Sequence, residues 1–333
     1  MRSGHGERNL LAHRFHLSWY SSTLAITIML APPVIQAQEA SGTSPNEPKY
    51  VLHTRVEEVL LYCTVKDRKG QLVTNLERSN FTVLEDKKPV VISHFARKDV
   101  PVSLALILDD SGSMKEKRSA IQAAALTLIK ASNPEDETSV TNFADKSYLD
   151  QELTDEVSQL AKALSASSTI SGGTALFDTL ISGADHLAVS AHRSKQVIVV
   201  VTDGNDNASE ADLVAAIRRV QRADGPVIYA IGLLYDVPGQ QERKAHKELL
   251  ALAEETGGIA FFPSSVSEVD RIATEVARDI RNQYTIAFHP AANAPKGSFH
   301  TIGVNAAGPG LRGLTVRTRK TYFRGSAETT PKS

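Results

Sequence analysis

Residues 103–114 read Ser-Leu-Ala-Leu-Ile-Leu-Asp-Asp-Ser-Gly-Ser-Met, a short apolar run that leads directly into a loop of acids and hydroxyls. Such a run predicts a buried strand of a parallel sheet. In open α/β sheets, ligands bind beyond the carboxyl ends of the strands. We therefore expect a binding site in this loop, where Asp109, Ser111 and Ser113 alternate and their oxygen atoms can converge on one point.

The segment 100–283 alternates between apolar strands and helical patterns. Strands are predicted at 103–108, 138–143, 196–202 and 227–233. The last helix is predicted at 265–281, because apolar residues recur there at steps of three and four: Val266, Val269, Ile272, Ala273, Val276 and Ile280. Ser209, followed by Asp212, is interpreted as the capping box of another helix. The predicted fold is an α/β, doubly wound, mostly parallel sheet with helices on both faces.

Two further loops bring oxygen atoms toward the same edge of this sheet. The strand 196–202 ends in Thr202-Asp203-Gly204, which supplies a second carboxylate. Between the two acidic loops, Ser171-Gly172-Gly173-Thr174 opens a helix, and Thr174 supplies another hydroxyl. Hard oxygen ligands that include two carboxylates are what Mg²⁺ prefers. The sequence therefore predicts a magnesium site, with Mn²⁺ and Ca²⁺ left open.

This set of residues resembles the von Willebrand factor type A domain and its metal-ion-dependent adhesion site. The family pattern is Asp-x-Ser-x-Ser after the first strand, a Thr in a middle loop and an Asp after a later strand. All five positions are matched, by Asp109, Ser111, Ser113, Thr174 and Asp203. The resemblance covers about 102–283. The flanks are similar to a family of secreted bacterial proteins related to this domain, through residues 76–86 (LERSNFTVLED).

The resemblance implies a binding mechanism without bond-making chemistry. Ser111 and Ser113 would bind the cation directly, and Asp109, Thr174 and Asp203 would bind it directly or through water. The exposed face of the cation would accept an Asp or Glu carboxylate from a protein or peptide partner. Asp110 is expected to point away from the cation, toward solvent or into a salt bridge.

Short β-branched runs flank the α/β segment on both sides. In 50–99 we predict strands at 56–65, 81–85 and 90–95, and in 284–325 at 284–288, 300–304 and 314–319. Three strands are too few for a stable independent sheet. We therefore expect 284–325 to join 50–99 in one β-sandwich-like domain, with 100–283 inserted between them. Residues 326–333 are expected to be a disordered tail.

Residues 1–37 have the pattern of a secretory signal peptide. Three arginines precede an apolar run from Leu17 to Leu30, and Ala37 is the expected cleavage point. Residues 38–49 read as a linker. We expect a mature protein that is secreted or lies in the periplasm or cell envelope, without a membrane span. The alternative is an uncleaved N-terminal anchor formed by residues 17–35.

Composition excludes several function classes. The 37 basic and 38 acidic side chains leave a formal net charge of -1, which argues against nucleic acid as a partner. A single cysteine, Cys63, excludes an intramolecular disulfide and a cysteine-based zinc site. The string that begins at Asp203 lacks the Gly and Glu that an EF-hand requires.

Three classes of function stay open. The first is metal-dependent binding of a protein or peptide. The second is a structural scaffold of an envelope complex, in which the metal only stabilises the fold. The third is a hydrolase with an unrecognised site, but no nucleophile elbow or phosphate-binding loop is present, so we predict that the protein is not an enzyme.

Overall fold

The computed structural model describes residues 58–166, 172–204, 206–222, 225–308 and 310–325. The strands are β1 (Val59–Lys66), β2 (Phe81–Glu85), β3 (Lys88–Val90), β4 (Ile92–Ala96), β5 (Val102–Asp109), β6 (Glu137–Phe143), β7 (Ser147–Thr154), β8 (Lys195–Thr202), β9 (Val227–Gly232), β10 (Ala260–Phe261), β11 (Tyr284–Phe288), β12 (Ser298–Ala306), β13 (Thr315–Arg317) and β14 (Thr321–Arg324). The helices are α1 (Arg118–Ala131), α2 (Val157–Ala166), α3 (Leu176–Ser190), α4 (Leu213–Val220), α5 (Gly239–Thr256) and α6 (Val269–Arg281). The predicted signal peptide, linker and tail lie outside the described residues.

The central sheet has six strands in the order β10-β9-β8-β5-β6-β7. Neighbouring strands are parallel except β6 and β7, which form an antiparallel pair. All eight residues of β5 are buried, as expected for a strand with helices on both faces. The predicted α/β fold with a mostly parallel sheet is thus confirmed.

Alternate residues of β5 pack against the two layers of helices, one on each face of the sheet. Leu104, Leu106 and Leu108 belong to the apolar cluster that includes α1, α2 and α6. Ala105 and Ile107 belong to the cluster that includes α3, α4 and α5. Burying one such Leu or Ile stabilises the fold by about 1.5–3 kcal/mol relative to leaving it exposed. In the part of the chain that the structure describes, we find no helix with the length and apolarity needed to cross a bilayer.

The flanking strands form two antiparallel sheets of four strands each, in the orders β13-β1-β11-β4 and β14-β12-β2-β3. Both sheets combine strands from before and after the α/β segment. They enclose a shared core that includes Val59, Phe81, Tyr284 and Tyr322. These pairings support our proposal that 50–99 and 284–325 build one β-domain.

The predicted strand at 90–95 is wrong, because this run is divided between the two sheets. Val90 ends β3 and pairs with Val83 of β2, whereas Ile92 begins β4 and pairs with Phe288 of β11. Val91, at the crossing, is 82% exposed. The apolar run carries no signal of this change because each half looks like a strand by itself.

The predicted capping box at Ser209 is also wrong. Asp212 is the residue that caps α4, and its carboxylate accepts the Ala215 N–H at 2.7 Å. The Ser209 hydroxyl instead donates to Asp206 Oδ2 at 2.6 Å. Ser209 is therefore part of the preceding loop and makes no cap for α4.

The β sheets are attached to the end of the central sheet at which the parallel strands begin. The Phe323 N–H donates to the carbonyl of Gln221, in the connection from α4 to β9, at 2.6 Å. The Arg319 guanidinium donates to the carbonyl of Arg222 in the same connection at 2.9 Å. Gly257, between α5 and β10, has φ +86°, and a Cβ there would lie 2.5 Å from the backbone nitrogen of Arg319. Glycine at this position therefore allows the two backbones to approach closely. The polar loops lie at the opposite end of the central sheet, where the parallel strands end.

Candidate metal site

The loop that follows β5 gathers three of the five predicted side chains. Asp109 is 4% exposed, and its Oδ1 accepts the Ser111 N–H at 2.9 Å, which closes a tight turn. The hydroxyls of Ser111 and Ser113 lie 3.2 Å apart. Ser111 is buried and Ser113 is exposed, so the hydroxyl pair leads from the carboxylate to the surface.

The neighbouring strand β8 brings the second carboxylate to the same edge. Leu108 lies beside Val201 in the parallel pair of β5 and β8. Consequently the Thr202 hydroxyl reaches Asp109 Oδ2 and donates to it at 2.6 Å. Asp203, the next residue, is 6% exposed. Asp109, Ser111, Ser113 and Asp203 therefore lie on two adjacent loops at the carboxyl ends of two adjacent strands.

Thr174 is linked to both of these loops through the backbone. The Asp110 N–H donates to the carbonyl of Phe143 at 2.7 Å, and the Ala175 N–H donates to the next carbonyl, that of Ala144, at 2.6 Å. On its other side, Thr174 exchanges bonds with Asn207. Its N–H donates to Asn207 Oδ1 at 2.9 Å, and its carbonyl accepts the Asn207 N–H at 3.0 Å. Thr174 itself is 4% exposed.

Gly173 allows the Thr174 loop to lie this close to the loop after β8. A Cβ at residue 173 would be 2.4 Å from Asn207 Oδ1 and 2.9 Å from the Ala208 Cβ. Both distances are far below van der Waals contact, so any side chain would push the two loops apart. Residue 173, which precedes the predicted ligand Thr174, must therefore be a glycine because there is no space for a side chain.

Burial of two neighbouring carboxylates has an electrostatic consequence. The pKa of Asp109 is raised to about 6, chiefly because the carboxylate is buried; hydrogen bonds from Ser111 and Thr202 lower it, and the charge of Asp203 raises it. Burial disfavours the charged form, and a like charge nearby adds to this effect. A divalent cation placed between the loops would favour the ionised form of Asp109 and compensate the charge of the two carboxylates, so the donor set fits such an ion.

The hydroxyls are essential to this donor set. Across the described ranges, no group of three or more His, Cys, Asp or Glu side chains is arranged to hold a metal ion. Two carboxylates together with Ser and Thr hydroxyls provide only hard oxygen donors, which suit Mg²⁺, Mn²⁺ or Ca²⁺.

Asp110 lies in one of the two environments expected for it, a salt bridge. Its carboxylate forms a salt bridge with Arg118, in the first turn of α1. Asp110 is 2% exposed, so this pair also neutralises a buried charge beside the site.

Sequence reasoning missed two groups of residues at this edge. Thr202 and Asn207 hold the predicted ligands in place, and the only signal for them is their position beside Asp203.

The second group lies at the rim, where Lys117 Nζ is 3.3 Å from Asp236 Oδ2 and 4.7 Å above the ring of Tyr235. These three residues come from the loops after β5 and β9, whose proximity only the strand order reveals.

Comparisons with known proteins place this segment in a recognised group. The family model of the von Willebrand factor type A domain matches residues 103–275, slightly more than half of the chain. No curated protein matches the sequence.

Similar solved structures come from diverse organisms. A von Willebrand factor type A protein from Catenulispora acidiphila is 14% identical, with a TM-score of 0.47 over 82% of this chain and 76% of that one. The corresponding domain of the type V pili tip protein Mfa5 from Porphyromonas gingivalis is 14% identical, with a TM-score of 0.44 over 55% and 97%. Proximal thread matrix protein 1 from the mussel byssus, with a zinc-occupied MIDAS motif, is 19% identical, with a TM-score of 0.45 over 58% and 50%. At these identities and scores, none of them assigns a ligand to this chain.

Proposed function

Because this chain belongs to the von Willebrand factor type A domain family, we propose that it binds a protein or peptide partner through a divalent cation at the carboxyl edge of the central sheet. One observation carries the proposal. The buried Asp109 carboxylate, fixed by the Ser111 N–H and the Thr202 hydroxyl, lies beside the second buried carboxylate, Asp203. Two such groups repel each other unless a cation compensates their charge.

The proposed ligands are Asp109, Ser111, Ser113, Thr174 and Asp203. Ser111 and Ser113 bind directly through their hydroxyls, and the other three bind directly or through water. Two carboxylates only just neutralise a divalent charge, so the bound ion supplies a Lewis-acidic coordination place for an Asp or Glu carboxylate of the partner. The exposure of Ser113 supports a coordination place at the surface of the loop.

We propose Mg²⁺ as the cation, with Mn²⁺ and Ca²⁺ as the alternatives. Oxygen-only donors with two carboxylates are typical of sites for these ions. Isothermal titration calorimetry with the three metals decides between them. We expect binding of Mg²⁺ that Asp109→Asn abolishes and that Asp145→Asn, which changes an exposed acid after β6, preserves. Undiminished Mg²⁺ binding by Asp109→Asn would contradict the proposed ligand set.

We further propose a binding protein, with no catalytic group assigned, that acts in the periplasm or cell envelope or is secreted. The pattern of residues 1–37 supports this location, with an N-terminal membrane anchor as the alternative. Association with proteins of the native envelope is compared before and after chelation, with wild type and Asp109→Asn side by side. Equal association in all four samples would remove the proposal.

A scaffold that holds an envelope complex together is the second candidate. The attachment of the β sheets through Gln221 and Arg222 favours a fixed arrangement of the kind a scaffold needs. Ser113→Ala separates the two candidates. Loss of association at unchanged stability supports cation-mediated binding, and lower thermal stability with full association supports the scaffold.

A further inference from the structure

One hydroxyl contacts both of the loops that carry carboxylates. The Thr202 Oγ1 donates to Asp109 Oδ2 at 2.6 Å and accepts the Gly204 N–H at 2.8 Å. A threonine hydroxyl has one hydrogen to donate and two lone pairs, so both bonds are made at the same time. Thr202 is fully buried, and water therefore cannot substitute for these bonds.

The first bond fixes the orientation of Asp109. Its Oδ1 already accepts the Ser111 N–H at 2.9 Å, and Thr202 takes the other oxygen. Both oxygens are thus held, and the Ser111 side chain also hydrogen-bonds to this carboxylate. Without the Thr202 hydroxyl, one oxygen of a buried carboxylate would lose this bond, and only Ser111 would still hold the side chain.

The second bond fixes the turn that carries Asp203. The Gly204 N–H closes onto the hydroxyl two residues earlier, with Asp203 in the middle of the turn. Gly204 has φ +79°, and a Cβ there would lie 3.0 Å from the Cβ of Ala245. The Thr202 carbonyl is held as well, because it accepts the Leu233 N–H at 2.8 Å.

We propose that Thr202 is a positioning residue that sets the cation affinity of the site, because its single hydroxyl holds Asp109 and the Asp203 turn at a fixed separation. This inference rests on the proposed function. Groups that orient metal ligands change affinity by about 10–100-fold when they are removed. The hydroxyl, and not the volume of the side chain, is the required feature. Valine has nearly the same shape without the bonds, whereas serine keeps them.

The test is a titration of the full chain with Mn²⁺, followed by electron paramagnetic resonance, which measures free and bound Mn²⁺ directly. The variants are Thr202→Val, Thr202→Ser and Thr202→Ala, the last of which carries the test if Thr202→Val does not fold. Thr256→Val is the matched control, because Thr256 is also buried with a bonded hydroxyl but is the last residue of α5, at the other end of the sheet. Unfolding temperatures are measured in chelator for all of them.

We expect Thr202→Val or Thr202→Ala to weaken Mn²⁺ binding by about 10-fold or more, and Thr202→Ser to stay within about threefold. Thr256→Val should lower the unfolding temperature and leave Mn²⁺ affinity unchanged. Wild-type affinity in a folded hydroxyl-free variant would overturn the role of Thr202 and leave the proposed function intact. Failure of the wild type itself to bind Mn²⁺ and Mg²⁺ would overturn the proposed function, and this inference with it.

Discussion

Arg317 on β13 and Asp279 on α6 form an ion pair, with Arg317 Nη2 2.5 Å from Asp279 Oδ2. The same carboxylate oxygen accepts the Tyr229 hydroxyl, from β9, at 2.6 Å. Asp279 is 5% exposed, so the pair is the polar part of a largely dry contact between the last helix and the β sheets. A buried charge that loses its partner is costly, and this makes the contact testable.

Replacement of Arg317 by Met should destabilise the protein strongly, because Asp279 would stay buried without its cation. We expect a loss of about 3 kcal/mol in the free energy of unfolding, measured by urea denaturation. Lys320→Met is the matched control, since Lys320 pairs with Glu254 at the surface. That change should cost no more than about 1 kcal/mol. Equal losses in the two variants would show that the Arg317 pair is not effectively buried.

Addition of Mg²⁺ should raise the unfolding temperature of the wild type. A ligand that binds only the folded state, at a hundred times its dissociation constant, stabilises it by about 2.7 kcal/mol. Asp109→Asn should show no such increase, because one of the two carboxylates has lost its charge. Differential scanning calorimetry with and without a chelator measures the effect. An equal rise in the variant would place the responsible cation elsewhere.

Gly173→Ala should disturb the site through sterics alone. The new methyl group would meet Asn207 Oδ1 at 2.4 Å, so the Thr174 loop must move. We expect a loss of about 1–3 kcal/mol in stability and weaker Mn²⁺ binding. Gly112→Ala is the control in the neighbouring loop, because a Cβ at Gly112 meets nothing within 4 Å. If the two alanines have the same effect, the close approach of the loops is not what holds Thr174.

Stability should depend on pH through His300 and Asp86, which lie 2.7 Å apart on β12 and in the turn after β2. Burial of the His300 ring opposes its protonation, but the bonds to Asp86 and the Pro295 carbonyl and the charges of Asp86 and Glu85 outweigh this and raise its pKa. For Asp86, slight burial is outweighed by bonds from His300 and Thr301, so its pKa is lowered.

The two shifts define a pH window. The His300 contribution is complete below its ordinary pKa of 6.5 and is lost as the pH rises through the raised value. The Asp86 contribution is present above its ordinary pKa of 3.8 and is lost as the pH falls through the lowered value. Urea denaturation at about pH 5.5 and about pH 8.5 should therefore show a larger loss for wild type than for Asp86→Asn. Identical losses would argue against the pair.

The sequence was sufficient to predict four of the six strands of the central sheet, and the loop after β5. The reason is physical: strands that are buried on both faces, such as β5, are continuously apolar, and the polar loop that follows is a sharp change. Ser111 and Ser113 lie where that change occurs, and their hydroxyls are in contact. The proposed ligation itself stays a prediction until cation binding is measured.

Other features depend on contacts that local patterns do not encode. β7 was not predicted, because most of its residues are exposed and it lies at the edge of the sheet. The division at Val91 depends on which sheet each half joins. The role of Thr202 depends on the register between β5 and β8, which brings its hydroxyl to Asp109.

The pairing of β1 with β11 also determines when β1 can join its sheet during synthesis of the chain. Val59 cannot pair before Phe288, its partner in the register, has been synthesised, roughly 10–50 seconds later at about 5–20 residues per second. During that interval the apolar strand VLLYCTVK lacks both of its neighbouring strands, β11 and β13, whereas the α/β segment can already assemble. An unpaired apolar strand is prone to aggregate, so nascent chains should depend on chaperones until the last third of the protein has emerged.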